Sequence, residues 1–72
     1  MNKYEITLYN QVVRDLVKDN KSHHHYDSGW ADQRFVQIGA RDEDDARRAI
    51  HRRYPEQKGF VIVDISEIPG FE

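Results

Sequence analysis

From Lys3 to Tyr9 apolar and polar side chains alternate, with Tyr4, Ile6 and Leu8 on one side and Lys3, Glu5, Thr7 and Tyr9 on the other. A period of two built from β-branched and aromatic residues predicts a half-buried strand. Past Asn10 the apolar positions Val12, Val13, Leu16 and Val17 fall in a stripe at helical spacing, and asparagine is a residue type that caps helix N-termini. A short helix over 11–19, ended by Asn20, therefore competes with an extension of the first strand, because valine is β-prone. Lys21 to Asp32 has no usable periodicity and carries the turn residues Asp27, Ser28 and Gly29, so it reads as a loop. Gln33 to Ala40 restores the period of two, with Val36, Ile38 and Ala40 on one face and Phe35 on the other.

The clearest element is a helix over 42–54. Asp42 is a good N-cap, and Asp45 stands three residues on, where a capping box prefers Glu or Gln. Ala46, Ala49, Ile50 and Tyr54 mark one face, and Pro55 stops the helix. Acids fill the first turn (Asp42, Glu43, Asp44, Asp45) and bases the later ones (Arg47, Arg48, His51, Arg52, Arg53), the order that complements the helix dipole. The spacing sets up ion pairs from Glu43 to Arg47 and from Asp44 to Arg48. Lys58-Gly59 turns the chain into Phe60–Ile65, where Val61, Val63 and Ile65 share one face and Phe60 and Ile62 the other. A strand apolar on both faces is expected inside a sheet rather than at its border. The tail Pro69-Gly70-Phe71-Glu72 is expected to be loosely held.

Two strands flanking a helix suggest a βαβ-type unit if they run parallel. The economical solution is α+β: a small two-layer domain over 1–72, with about three strands packed by the helix 42–54 and, where it forms, the helix 11–19. With 72 residues there is no room for a second domain.

Composition narrows the function. A net charge of −2 argues against a generic grip on nucleic acid, and the absence of cysteine rules out a disulfide framework and thiol chemistry. No apolar run approaches the roughly 18 residues of a membrane span, and Met1–Glu5 lacks the apolar core of a signal peptide, so a cytoplasmic protein is expected. Ser22, Ser28 and Ser66 stand in no nucleophile motif, and a Ser28–His51–Asp64 triple has no spacing to favour it. The four scattered glycines make no phosphate cradle. Neither an enzyme nor a cofactor is expected.

Three features carry candidate chemistry. In an extended segment His23, His25 and Asp27 share a face, and imidazole with carboxylate suits zinc; the plainer reading is a solvated, histidine-rich loop, which adjacent imidazoles also make responsive to pH. Arg47, Arg48, Arg52 and Arg53, with Arg41 and Lys58 nearby, can straddle phosphates, but the acids that open the same helix would repel a nucleic-acid backbone. Asp42, Glu43, Asp44 and Asp45 can dock on a basic surface as well as cap the helix, and Tyr26 and Trp30 are the aromatic types that dominate protein interfaces. Against the last reading, Trp30 is the chain's single tryptophan, and folding back to plug the sheet edge is the better use of it in so small a core.

Trp30-Ala31-Asp32, Phe35-Val36-Gln37-Ile38, Asp42 to Ile50, Arg53-Tyr54-Pro55 and Gly59-Phe60-Val61-Ile62 together resemble small uncharacterised proteins carried by bacteria and their phages. Small cysteine-free phage proteins of this style include anti-CRISPR proteins and other inhibitors of host machinery. The resemblance spans about residues 30–63 and carries no active-site residue. It implies a stoichiometric binder of a host protein or complex rather than an enzyme; the residue types, not the resemblance, point to Tyr26, Trp30, Asp42, Glu43, Asp44 and Asp45 as partner-binding residues. The alternative is a metal- or nucleic-acid-binding accessory protein using His23, His25 and Asp27 or the arginine face. A homodimer paired through sheet edges or loop aromatics is a third reading.

Overall fold

A computed structural model describes residues 1–69. The elements are β1 (Asn2–Asn10), α1 (Gln11–Lys18), β2 (Arg34–Ala40), α2 (Glu43–Arg53) and β3 (Phe60–Glu67), with short 3-10 turns at Ser28–Ala31 and Glu56–Lys58. They make a small α+β domain. The sheet order is β2-β1-β3, and both pairings are antiparallel. β2 and β3 therefore run the same way, as the β-α-β pattern predicts, but β1 lies between them and α2 crosses over it.

The period-two reading of β1 holds residue by residue. Tyr4, Ile6 and Leu8 are buried, and they pair with Ile38, Val36 and Arg34 on one side. Ala46 and Ile50 of α2 close over this face, joining Ile38, Ala40 and Phe60 in one apolar cluster. The alternatives for 11–19 resolve to a helix. Asn10 Oδ1 accepts from the Val13 amide at 3.1 Å, the expected cap. At the other end Asn20 takes a left-handed φ of 58°. Its amide donates to Val17 and that of Lys21 donates to Leu16, the two bonds of a Schellman C-terminus. The valine stripe is only partly spent, since Val13 is buried while Val12 and Val17 stay exposed.

The expectation that β3 lies inside the sheet is wrong: β1 is central and β3 is a border strand. The reason is a bulge. Leu8 faces Ile62 and Thr7 faces Asp64, which leaves Val63 with no opposite residue. One extra residue reverses the alternation, so Phe60 and Ile62 point to the core before it and Ile65 after it. An apolar run on both nominal faces is here the signature of a face switch. The part of the tail beyond Pro69 lies outside the described residues.

β1, α1 and β3 meet at Asn10, whose side chain is fully buried. Besides capping α1, its Nδ2 donates to the Lys58 carbonyl at 3.0 Å. The Gln11 amide donates to the Gly59 carbonyl at 2.8 Å, and Gly59 makes the turn into β3 with φ 98°.

Candidate interaction surface

The loop from Lys21 to Asp32 is more ordered than its aperiodic sequence implies. Asp27 Oδ1 accepts from the Gly29 amide and from Arg34 Nη2, each at 2.8 Å, which starts the 3-10 turn Ser28–Ala31. That turn lays Trp30 against the start of β3: its ring centre is 5.2 Å from Phe60 and 5.2 Å from Tyr54. Tyr26 meets Phe60 edge-on at 5.1 Å, and Arg34 covers the outer side of Trp30 with Cζ 4.6 Å from the ring centre. Arg14 of α1 ties the turn down from the other side, donating through Nε to the Ala31 carbonyl at 2.8 Å. Tyr26 and Trp30 are half-buried members of an aromatic cluster, so most of their rings face the domain rather than solvent.

The acidic end is equally committed to its own helix. Asp42 Oδ1 accepts from the Asp45 amide at 2.8 Å, and Asp45 Oδ2 accepts from the Arg41 amide at 3.1 Å. Aspartate is one carbon shorter than the Glu or Gln of a capping box, and it meets the amide one residue before the cap instead of the cap's own. Glu43 pairs with Arg47 at 3.9 Å as expected. The Asp44–Arg48 pair is replaced: Arg48 turns to Asp45 at 3.7 Å, where Arg41 also stands at 3.7 Å. The first half of the basic face, Arg47 and Arg48, is thus paired with the acids of its own helix. Each such exposed pair contributes little to stability.

These contacts hold the Asp45 carboxyl below its usual pKa, chiefly through the Arg41 amide; burial opposes this, and the side chain of Arg41 and the charge of Arg48 add to the lowering. A carboxylate depressed in the folded state adds stability above the unfolded-state pKa and gives it up as pH falls through the folded one. Asp45→Asn keeps an acceptor for the Arg41 amide but has no proton to gain. Its melting temperature, followed by circular dichroism from neutral pH to about pH 3, is expected to fall less steeply than that of the parent chain. Parallel curves would remove Asp45 from the acid response.

The two groups of expected partner-binding residues do not meet. Asp42, Glu43, Asp44 and Asp45 follow the Ala40 end of β2, whereas Tyr26 and Trp30 gather at its Arg34 end, and the 7 residues of the strand span about 20 Å. His23 and His25 lie near the aromatic end, lining an open groove of about 590 Å³ with Val12, Tyr26, Gln57 and Lys58. His23 Nδ1 accepts from the His25 amide at 3.0 Å, and its ring packs on Tyr26 at 4.9 Å. A metal on His23 Nε2 needs a proton on Nδ1, so it would break that bond, and the Oδ1 of Asp27 is taken by Arg34 and Gly29. Among the described residues no three His, Cys, Asp or Glu side chains are grouped to hold a metal ion. Ser28, His51 and Asp64 stand on three different elements, and Asp64 accepts from Ser66 of its own strand at 2.7 Å.

What the sequence reading passed over is the other face of the sheet, opposite α2, where Arg14 of α1 covers only the Tyr9 end, its Cζ 3.8 Å from the ring centre. Phe35, 65% exposed, stands there opposite Thr7, and Val61, 37% exposed, stands opposite Tyr9. Val63, pushed out by the bulge, is 49% exposed beside them. The available signal was Phe35, the one large apolar residue on the outward side of its strand. Among the described residues no helix is long and apolar enough to cross a membrane. No known protein family, curated protein or solved structure matches this chain.

Proposed function

We propose that the chain is a non-enzymatic protein-interaction module that occupies a surface of a host protein or complex, in the manner of small phage-borne inhibitors, and that it docks through the open face of its sheet. The supporting observation is the uncovered strip of Phe35, Val61 and Val63, flanked by Tyr9 and Thr7. Tyr26 and Trp30 turn most of their rings inward, whereas this face gathers three of the exposed large apolar side chains, Phe35, Val61 and Val63; Val12 and Val17 are exposed separately on α1. Burying a phenylalanine side chain is worth about 1.5–3 kcal/mol, enough to anchor an interface with a polar rim. The rim here is Glu5, Gln37 and Asp64.

The test is capture from nuclease-treated bacterial lysate by the purified chain carrying a tag other than polyhistidine. A protein is expected near one-to-one with the parent chain and reduced at least about tenfold with Phe35→Ser. The melting temperature should be nearly unchanged, because surface substitutions usually cost under about 0.5 kcal/mol. Equal capture by Phe35→Ser would overturn docking through the open face, and capture only without nuclease would favour nucleic acid. A Glu43→Gln, Asp44→Asn variant reports whether the acidic end flanks the partner, since its loss would flatten the salt dependence of binding.

A further inference from the structure

The two borders of the sheet are built differently. β3 carries the bulge at Val63, the acids Asp64 and Glu67, and Pro69 just beyond, all devices that discourage a further strand. β2 has none of them. Its sequence, Arg34-Phe35-Val36-Gln37-Ile38-Gly39-Ala40, holds no proline, no acid and no lysine, and its pairing with β1 runs without a bulge. Its one charge, Arg34, is occupied by Asp27 and the Trp30 ring. Among the described residues nothing pairs with its outer edge.

We propose that β2 pairs antiparallel with β2 of a second copy of this chain, across a two-fold axis at Gln37, to make one six-stranded sheet. The strand is complementary to itself in that register. On the open face Phe35 of each copy falls opposite Gly39 of the other, where an aromatic ring covers a strand glycine that otherwise weakens the edge. On the helix side Val36, half-buried in one copy, meets Ile38 of the other, so the two apolar layers become continuous. Just past the strand the same register sets Arg41 opposite Gln33 and Asp42 opposite Asp32 of the second copy, and the facing acids confine the ladder to the strand itself. A slip of one residue sets the polar face of one strand against the apolar face of the other, and a slip of two shortens the ladder.

The chain has no cysteine, so single-cysteine variants report the register directly. Directly opposed residues of an antiparallel pair lie about 4.5–5.5 Å apart at Cα, within the disulfide range of about 4.4–6.8 Å. Gln37→Cys is expected to form a covalent dimer under mild oxidation, and Ser66→Cys on the guarded border is expected to form none. Light scattering should give the parent chain twice the monomer mass at the upper end of a concentration series. Gln37→Lys is tolerated within one copy, where position 37 faces Glu5. Across the axis it sets two ammonium groups against each other, so the dimer should weaken at least about tenfold, with a melting temperature unchanged at concentrations where both chains are monomeric. A monomer throughout the series, a dimer indifferent to Gln37→Lys, or cross-linking at 66 instead of 37 would each overturn the pairing. The measurement uses the purified chain alone, so a monomeric result leaves docking through the open face to its own capture experiment.

Discussion

Gly59→Ala is expected to destabilise the domain by about 2–4 kcal/mol, enough to lower the melting temperature of a chain this size by roughly 10–20 °C. Two costs add. At φ 98° an L-residue loses about 1–2 kcal/mol against glycine. The new Cβ would also stand 2.7 Å from Asn10 Oδ1 and 2.7 Å from Val12 Cγ2. Asn10 is the worse neighbour, because it is buried and held at both ends of its amide. Gly59→Asn separates the terms: asparagine tolerates the left-handed region but carries the same Cβ. If crowding dominates, as the distances require, Asn recovers only a small part of the loss in a urea titration. Recovery of most of it would assign the cost to backbone strain instead.

Asn10→Ala is expected to cost about 2–3 kcal/mol. The cap of α1 accounts for about 1 kcal/mol of this, and the Lys58 carbonyl, left without its donor, accounts for the rest. A loss under about 1 kcal/mol would mean that water replaces the amide. Because Asn10 and Gly59 touch, the two substitutions should not add. Removing the asparagine side chain clears one of the two obstructions to a Cβ at 59, so the Asn10→Ala, Gly59→Ala chain should be more stable than the sum of the single losses predicts, by about 1 kcal/mol. Strict additivity would show that Val12 alone sets the crowding.

Elements whose signals are local were legible in the sequence. Tyr4, Ile6 and Leu8 alternate into the core, Asp42 and Pro55 bracket α2, and Asn10 and Asn20 bracket α1. Errors arose where a local pattern had a non-local cause. Apolar residues on both nominal faces of β3 suggested an interior strand, but the bulge at Val63 produces the same pattern at a border. The loop had no period to read, because Asp27, Trp30 and Arg34 organise it through one ion pair and one ring. The candidate surface was less legible than the fold. Residue types singled out Tyr26, Trp30 and the acids of α2, although the strand predicted between them already sets the two groups at its opposite ends. Phe35 was readable as outward-facing, but that nothing covers it follows from both helices' positions.

The order of the strands along the chain also bears on how the sheet is made. Its central strand is synthesised first and its second neighbour last, so the Asn10 amide waits for a carbonyl 48 positions downstream. Contacts this distant in sequence slow folding, because the loop must close before the contact rewards it. While β3 is still being made, β1 has one bare border, the condition in which strands of separate molecules join. A nascent chain released before Phe60 would keep that border open and complete it with a neighbour's strand in place of its own.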